Sequence, residues 1–490
     1  MTVVVDGESL TVERVLAVAR GGEPVALADG VVERMARARE VVERVLARDD
    51  AVYGMTTGLG ASKRHRVESG AGAAFSHELV ASHRVGHGPP AGEDVVRACM
   101  LRLLNGFAKG TVGVRPLLAQ RLVEALNGGL RPHVRLLGSA GMADLAPMGD
   151  LAAELFAETA LEAKEGLALV NNNSFSTGFA TLAVADATRL LDSMTLSAAL
   201  DLEAFAANLT ILHPLVAEIR PYGGVRAELH GLRAALAGSY LWRDGAARNL
   251  QDPLSYRSVV QIQGAARDAL AFVRGQLTTE LNAHQDNPVV VAAEHRIVSA
   301  GCYDVLPLAA ALDLMRIALA PALTASTERA LKLLQPPLSG LPGGLAAEEG
   351  LHQGGLGAIS WSAHALTAEA RLLAAPVSFE LATTTPEEGI ADRITMAPLA
   401  ARRLAEQVGL GERLLAIGLL CSSQAIDLRR PPALAGATAA VHALVRERIA
   451  FAGPDAPYPA DLDPLVELVR SGALVDALRT AESQGEAPTA

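Results

Sequence analysis

Three polar segments marked by glycines interrupt an apolar sequence, and each carries side chains able to do chemistry. They are Val52-Tyr-Gly-Met-Thr-Thr-Gly-Leu-Gly60, Gly138-Ser-Ala-Gly-Met-Ala-Asp-Leu-Ala-Pro147 and Asn171-Asn-Asn-Ser174. In the first, Tyr53 lies among glycines, so a flexible loop could place its phenol in a cleft. A phenol can act as a base where cations or hydrogen bonds stabilise the phenolate. The alternative is an ordinary surface tyrosine. A phosphate loop is excluded, because no Gly-Lys-Ser/Thr ending follows.

Two further pairs of residues have types suited to binding. His83 and His87 are four apart, so on a helix they would share a face and could hold a metal. No His-Glu-x-x-His pattern or third carboxylate accompanies them, which favours structural histidines and no metal site. Arg257 follows Asp252 in a short polar run, and its guanidinium could grip a substrate carboxylate with two hydrogen bonds. An ordinary ion pair is the alternative, and residue type alone leaves both open.

The elements that must position these residues are predicted to be helices. Aromatic residues make up only 3% of the chain, which disfavours β-sandwiches rich in aromatic and β-branched residues. One predicted amphipathic helix buries a face spaced four, three, four and three apart, formed by Val31, Met35, Ala38, Val42 and Val45. Longer helices are predicted at Phe179–Asn208, at Asp304–Leu334 with a kink at Pro321, and at Ala391–Leu428. A smaller helical piece begins at Val441–Phe451.

The segments rich in proline and glycine predict where the chain forms loops. Gln335–Gly355 and Thr383–Gly389 read as long loops, which in compact domains are often functional. Whether the first closes over a site stays open. Ala481–Ala490 reads as a frayed tail. We predict an N-terminal domain with the Tyr53 loop, a bundle of long helices and a C-terminal helical segment with its tail, at residues 1–177, 178–430 and 431–490.

Composition and charge exclude several classes of protein. The 490 residues carry 43 Lys and Arg against 54 Asp and Glu, a net charge of −11 without a basic stripe, so nucleic acid is not an expected partner. Three cysteines are too few for a disulfide framework or a zinc cluster. The N-terminus lacks a secretion signal, and Asp313 and Arg316 interrupt the apolar stretch Leu306–Leu323, which argues against a membrane span. We expect a soluble, cytoplasmic protein.

Seven segments, spread in order over almost the whole chain, resemble the histidine ammonia-lyases and the wider aromatic amino acid lyase family. They are Val52–Gly60, Ser82-His83, Gly138–Pro147, Ala163–Asn171, Gln251–Arg257, Asp286-Asn-Pro288 and Thr395-Met-Ala-Pro398. The resemblance implies an all-α fold of the fumarase/aspartase type with a long central helical bundle. It also implies a homotetramer, active sites formed by several subunits, and a small amino-acid-like substrate.

One departure from the family pattern removes its electrophile. Family members cyclise an internal Ala-Ser-Gly triad, with loss of water, to a methylidene-imidazolone (MIO) ring. Here Gly138-Ser-Ala-Gly141 is followed only by Met142-Ala143 before Asp144-Leu-Ala-Pro147. The stretch is one residue short and contains no serine to dehydrate. We therefore expect no MIO at the degenerate positions Met142 and Ala143, and no other cofactor.

Other pocket positions have also changed, while a functional subset is retained. Leu254 stands where the family has tyrosine, Ala391 where it has glutamate, and Gly301-Cys-Tyr-Asp304 where it has Gly-Asn-Phe-His. The positions that keep the family residue are Tyr53, His83, Asn171, Gln251, Arg257 and Asn287. The resemblance thus implies that the tyrosine base and the carboxylate clamp survive without the electrophile.

Amine elimination without that electrophile proceeds readily only when the substrate brings a good leaving group. Ergothionase, a relative that expels trimethylamine from ergothioneine, resembles this case. In the leading hypothesis Tyr53 removes the β-proton and Arg257 binds the carboxylate, while Asn171 and Gln251 orient the substrate. Tyr303 packs against the substrate ring and His83 recognises it.

Asp304 and the reaction type leave alternatives. The Asp304 carboxylate could attract a trimethylammonium group, in which case Asp304→Asn raises KM sharply, or it could cap a helix or form an ion pair. The same pocket could instead catalyse conjugate addition, cyclisation or isomerisation in a biosynthetic pathway. A non-catalytic ligand-binding or partner subunit is a third hypothesis, because a fold does not fix function.

Overall fold

The structure is a computed structural model that describes residues 1–68, 70–348, 355–379, 386–453 and 458–476. Its contacts divide the chain into two compact units. Unit 1 comprises Met1–Val184, Val273–Asp313 and Pro376–Arg402, and unit 2 comprises the described residues of Ala185–Phe272, Leu314–Ala375 and Arg403–Ala490. Both units are built mainly from helices, as the sequence predicts.

Eighteen α-helices account for most of the described residues. They are α1 (Val12–Ala19), α2 (Val31–Ala47), α3 (Gly72–Ser82), α4 (Glu93–Ala108), α5 (Pro116–Asn127), α6 (Leu145–Leu155), α7 (Glu165–Val170), α8 (Ser174–Phe205), α9 (Leu215–Ile219), α10 (Gly223–Ala235), α11 (Leu254–Arg257), α12 (Val259–Asn282), α13 (Leu306–Leu333), α14 (Pro336–Ser339), α15 (Ile359–Leu372), α16 (Ala397–Arg429), α17 (Gly436–Arg448) and α18 (Asp463–Arg470).

Six short strands form three two-stranded sheets in unit 1. Strands β1 (Val3–Val5) and β2 (Val25–Leu27) pair in parallel, with Val3 opposite Val25. The antiparallel pairs are β3 (His87–Pro90) with β4 (Arg135–Leu137), and β5 (Val289–Val291) with β6 (Arg296–Val298). These strands of three or four residues connect loops through backbone hydrogen bonds, whereas the helices supply the core.

Helix α2 confirms the amphipathic face predicted from spacing. All five of its predicted apolar residues are buried, and this helix contributes Ala38, Val41, Val42 and Val45 to a core cluster. The same cluster holds Met55, Ala163 and Val290, with Val52 packed against it. Full burial of a side chain such as Met55 contributes roughly 1.5–3 kcal/mol. The core therefore anchors the Tyr53 loop on both sides of the tyrosine.

The long predicted helices are present, with shifted ends. Helix α8 begins at Ser174 and continues through Gly178, where a Cβ would lie 2.8 Å from the backbone of Ala98 and Cys99 on α4. Glycine there serves close helix packing and does not break the helix. Helix α13 contains Pro321, as predicted. Helix α16 begins at Ala397, six residues later than predicted, because Met396 adopts a left-handed φ of 55°.

Helix α13 is long and apolar enough to cross a membrane by length and composition alone. Its polar residues nevertheless have partners inside the protein. Asp313 accepts hydrogen bonds from the backbone amides of Val377 and Ser378 at 2.9 and 2.8 Å. Arg316 is fully buried and donates to the carbonyls of Leu373 and Ala375. These contacts are typical of the core helix of a soluble protein.

The remaining predictions concern the C-terminal half. The predicted loop Gln335–Gly355 opens with helix α14, because proline is tolerated at the first helical position, and residues 349–354 lie outside the described residues. Of Thr383–Gly389, only Pro386–Gly389 is described, as a 3-10 turn. The predicted helix at Val441 begins earlier, at Gly436, and helix α18 lies within the predicted C-terminal helical segment, residues 431–490. Ala481–Ala490 lies outside the described residues.

Candidate active site

A pocket of about 340 Å³ in unit 1 collects most of the predicted site residues. Its lining residues are Tyr53, Leu59, Gly60, His83, Met142, Leu145, Leu167, Val170, Asn171, Asn287, Ser299, Tyr303, Ile390 and Ala391. None of these described lining residues is Asp, Glu, Lys or Arg. The pocket is therefore apolar with a few neutral hydrogen-bonding groups, a composition typical of small-molecule sites.

The loop after α2 holds the Tyr53 phenol in a defined position. The Tyr53 oxygen accepts a hydrogen bond from the backbone amide of Gly60 at 3.0 Å. A donor aimed at this oxygen stabilises negative charge on it. Gly54 turns the chain with a φ of 68°, and a Cβ there would lie 2.4 Å from the Leu167 side chain. The tight turn thus brings the tyrosine against α7.

The second tyrosine of the pocket has a different electrostatic environment. Burial, together with the neighbouring Tyr53 and Asp304, raises the pKa of Tyr303 above its ordinary value. Tyr303 therefore stays protonated, so its hydroxyl can donate a hydrogen bond to a ligand.

The structure separates the two histidines that the sequence placed four apart. Helix α3 ends at Ser82, so His83 is its C-cap and His87 begins β3. The sequence favoured structural histidines over a metal-binding helical face, and the two rings share no such face because the helix stops before it includes either one. In the part of the chain that the structure describes, no group of three potential metal ligands occurs.

His83 lines the pocket with a fixed tautomer. Its Nδ1 lies 2.7 Å from the carbonyl oxygen of Leu79, which can only accept a hydrogen bond. Nδ1 therefore carries a proton, and Nε2 is the acceptor in the neutral form of the ring. A ligand group that meets this nitrogen of the neutral ring must donate a hydrogen bond.

Two asparagines meet on the wall of the pocket. Asn171 is the C-cap of α7, and its Nδ2 donates to the carbonyl of Asn287 at 3.2 Å. The Asn287 side-chain oxygen accepts from the amide of Ala300 at 2.7 Å, next to Ser299. The prediction named Asn171 but missed Ser299, which no motif marks.

The segment that replaces the family triad forms a tight turn in this pocket. Gly141 and Ala143 form a backbone bridge across Met142, and Ala143 has a left-handed φ of 59°. Met142 also bridges to Asp304, while the Gly141 carbonyl accepts hydrogen bonds from Thr395 at 2.8 Å and Asn173 at 3.3 Å. Only two residues span the turn, neither is serine, and both ends are fastened. These residues do not fit an MIO ring.

Asp304 makes the contacts that the sequence offered as its alternative. Its carboxylate accepts a hydrogen bond from the amide of Leu306 at the start of α13, at 3.0 Å, and lies 3.4 Å from Arg393. Asp304 is absent from the pocket lining, although its neighbour Tyr303 is present. Ala391, which replaces the family's glutamate, does line the pocket.

Gln251 and Arg257 line a different concavity, a groove of about 540 Å³ in unit 2. Asp252 accepts from the amides of Asn208 at 2.7 Å and Asn249 at 3.1 Å, and it does not pair with Arg257. Among the described residues the Arg257 guanidinium has no hydrogen bond or ion pair, and its Nε is buried without a partner. The ion-pair alternative for Arg257 is therefore not what the structure shows. Its cation remains available to an anion.

Most of the apolar lining was missed by sequence reasoning. Leu167 and Val170 precede Asn171 by four residues and one residue, so they project from the same short helix. Helical spacing from Asn171 could have found Leu167. Leu59, Leu145 and Ile390 come from loop ends or helix ends and carry no comparable signal.

Comparison with known protein families identifies the family of this chain. The family model for aromatic amino acid lyases matches residues 10–160 and 155–447. The chain belongs to the aromatic amino acid lyase family. Because the match includes the pocket, the protein is an enzyme, a carbon–nitrogen lyase of this family.

Individual members of the family resemble the chain along its whole length. Histidine ammonia-lyase from Symbiobacterium thermophilum is 34% identical over 96% of this chain and 97% of its own length. Ergothionase from Treponema denticola, solved with desmethyl-ergothioneine sulfonic acid, superposes with a TM-score of 0.91 at 25% identity, covering 97% of this chain and 100% of that one. Tyrosine aminomutase from Streptomyces globisporus gives a TM-score of 0.91 at 28% identity, covering 98% and 99%. These neighbours confirm the fumarase/aspartase-like helical fold.

Proposed function

We propose that the protein is an MIO-independent lyase that eliminates an amine from an amino-acid-derived substrate carrying a quaternary ammonium leaving group, as in ergothioneine. The observation that carries the proposal is that Tyr53 and the shortened turn at Met142 line one pocket. The pocket thus contains a candidate base, Tyr53, and a wall at Met142 that lacks the residues needed to form the family's electrophile.

The reaction needs only proton transfer and a leaving group. The Tyr53 phenolate takes the β-proton, the C–H electrons form the C=C bond, and the C–N electrons leave with a neutral tertiary amine. The product is an acrylate, in which the new C=C bond is conjugated with the carboxylate. The Gly60 amide hydrogen bond supports this step, because it stabilises the phenolate that must exist before proton transfer.

Neutral groups of the pocket recognise the substrate in this proposal. With no carboxylate among the described lining residues, the rings of Tyr53 and Tyr303 are the groups that attract a cationic ammonium. His83 Nε2 accepts a hydrogen bond from an N–H of the substrate ring. Asn171 orients the substrate from the wall that it shares with Asn287.

The substrate carboxylate is bound by Arg257 of another copy of the chain in a homotetramer, with Gln251 beside it. Exposed apolar stripes in unit 2 support an oligomer. On α15, Trp361 and Leu372 are 77% and 76% exposed, and Ala365 and Ala368 lie between them at helical spacing. Such stripes on helices are typical of surfaces that pack against another subunit. We place this oligomer in the cytoplasm.

The test is an ultraviolet assay of the purified protein with histidine, phenylalanine, tyrosine and ergothioneine, following formation of a conjugated acrylate. We expect product from ergothioneine alone, with release of trimethylamine. Product from an unmodified amino acid would show that an electrophile is supplied from elsewhere. No product from any of the four contradicts the elimination proposal and favours addition, cyclisation or a non-catalytic binding role.

Intact-mass spectrometry tests the absence of MIO independently of any substrate. We expect the mass of the unmodified sequence. A mass lower by the water lost in ring formation would contradict the proposal, whatever the assay shows.

A further inference from the structure

A buried ion pair lies directly behind the asparagines of the pocket. Lys164 and Asp286 are joined by a hydrogen-bonded ion pair of 2.5 Å, and their side chains are 0% and 4% exposed. Neither residue lines the pocket. Taking both charges out of water costs several kcal/mol each, and a buried pair often returns no net stability over apolar residues of similar size. Stability alone therefore gives little reason for this pair.

Lys164 controls the start of the helix that forms one wall. It is the N-cap of α7 and adopts a left-handed φ of 80°, a conformation that is rare for a residue other than glycine. Its backbone carbonyl accepts the amide of Ala168 at 3.0 Å. Helix α7 then presents Leu167, Val170 and Asn171 to the pocket.

Asp286 controls the segment that forms the adjoining wall. Its other carboxylate oxygen accepts the backbone amide of Asn287 at 2.7 Å. Its carbonyl lies 2.9 Å from His284 Nε2, whose Nδ1 lies 2.7 Å from the Thr111 hydroxyl. Burial lowers the pKa of His284, so this ring is a neutral bridge. Asp286 is thereby fixed from both sides of its backbone.

We propose that Lys164 is a positioning residue that, through Asp286, sets the separation of Asn171 and Asn287 in the pocket. The ion pair ties the N-cap of α7 to the segment before Asn287. The hydrogen bond from Asn171 Nδ2 to the Asn287 carbonyl connects the same two segments a second time, at the pocket surface. In its kinetic consequence this inference rests on the proposed function, whereas its structural consequence does not.

The variant of choice removes both charges together. Lys164→Met with Asp286→Asn leaves no uncompensated buried charge and retains an oxygen for the Asn287 amide. The control is Arg267→Met with Glu228→Gln, which neutralises a pair of 2.6 Å within unit 2 whose side chains are 18% and 0% exposed; Arg267 also lies 3.0 Å from Asp192, whose side chain is 39% exposed. Single Lys164→Met is the companion variant, and it shows what an orphaned Asp286 does to folding.

The first readout is the crystal structure of the double variant. We expect a folded chain in which the hydrogen bond between Asn171 and Asn287 is lost, whereas the control pair leaves it intact. An unchanged bond in a folded double variant overturns the proposal. This arm needs no substrate, so it decides the matter even if all four candidate substrates fail with the wild-type enzyme.

The second readout is a kinetic split on whichever substrate the wild type turns over. We expect kcat to fall by about 100-fold, because misplacing an orienting group by about 1 Å costs that much, and KM to change little. The control should keep its kcat. A purely structural role would lower the melting temperature and the active fraction of both double variants, with no selective loss of kcat. That outcome also overturns the proposal.

Discussion

The pocket in unit 1 and the groove in unit 2 differ in the chemical groups that they offer to a ligand. The pocket has a phenol that can accept a proton and, among its described residues, no formal charge. The groove has an arginine whose guanidinium has no partner among the described residues, yet its described lining contains no tyrosine, histidine or cysteine to act as a base. A chain keeps an uncompensated buried arginine nitrogen at a cost, so the cation points to an anion that the isolated chain lacks.

This contrast shows which residues keep the family pattern where the turn at Met142 departs from it. The turn at Met142 differs from the family pattern, whereas Tyr53 and Arg257 keep their residue types in two separate parts of the chain. A binding protein has no need of both. The four predictions that follow test whether the pocket supplies the base and the groove supplies the cation. They are ordered from the largest expected effect to the smallest.

Removing the phenol oxygen should have the largest effect. Tyr53→Phe is expected to lower kcat by about 10³-fold, because general base catalysis contributes about 10²–10⁴-fold. Substrate binding, measured by calorimetry, should persist. Tyr222→Phe, at a tyrosine that is 55% exposed in unit 2, is the control. Full activity of Tyr53→Phe would remove the base from the pocket and break the comparison.

Removing the unpaired cation should come next. Arg257→Met is expected to lower kcat/KM by about 100-fold, since a charge-assisted hydrogen bond contributes about 1.5–3 kcal/mol. Arg243→Met, at an exposed arginine, is the control. Esterifying the substrate carboxylate should lower wild-type activity but barely affect the Arg257 variant. An equal loss in both proteins would count against a carboxylate clamp.

Mixing the two inactive variants sharpens this second prediction. If Tyr53 and Arg257 act from different copies, oligomers assembled from Tyr53→Phe and Arg257→Met chains contain some intact sites and regain activity. Absence of any recovery after verified mixing would mean that one copy supplies both groups.

The third prediction concerns the neutral tyrosine. Tyr303→Leu is expected to raise KM for ergothioneine by about tenfold, because a desolvated contact between a cation and an aromatic face contributes about 1–2 kcal/mol. Tyr303→Phe keeps the ring and should keep most of this binding. If both variants weaken binding equally, the hydroxyl and not the ring contacts the substrate.

The smallest effect is expected at Asp304. Its carboxylate already caps α13 and faces Arg393, with half-exposed side chains on both, so the attraction that it offers a ligand is screened. Asp304→Asn should change KM for a cationic substrate by less than about threefold. A sharp rise, as the sequence alone suggested, would restore Asp304 as the counter-ion of the ammonium group.

Sequence periodicity predicted the fold better than it predicted the site. The buried face of α2 followed from spacing, because a 3.6-residue period is a local property. The start of α16 did not, since the left-handed φ of Met396 reflects its contacts, including a hydrogen bond to the Ala140 carbonyl. His83 and His87 show the same limit, because a spacing of four puts two side chains on one helical face only if the helix includes both, and α3 ends at Ser82.

The site residues named from the family resemblance divide in the same way. Tyr53, His83, Asn171 and Tyr303 come together in one pocket. Ser299 joins them through the backbone contact between Ala300 and Asn287, a tertiary contact that no motif encodes. The lack of an ion pair at Arg257 could not be predicted from the sequence either. Asp252, the nearby acid, accepts hydrogen bonds from the amides of Asn208 and Asn249 instead, and no sequence motif marks these contacts.

The fastened two-residue turn at Met142 also has an evolutionary consequence. Under the proposed function, single-base substitutions could supply a serine but not the residue that the turn lacks relative to the family pattern, so formation of an MIO ring would require a codon insertion. That insertion would have to displace a backbone already bridged to Asp304 and held by Thr395. A change toward an MIO ring therefore needs an insertion as well as substitutions, whereas changes within the present pocket need substitutions alone.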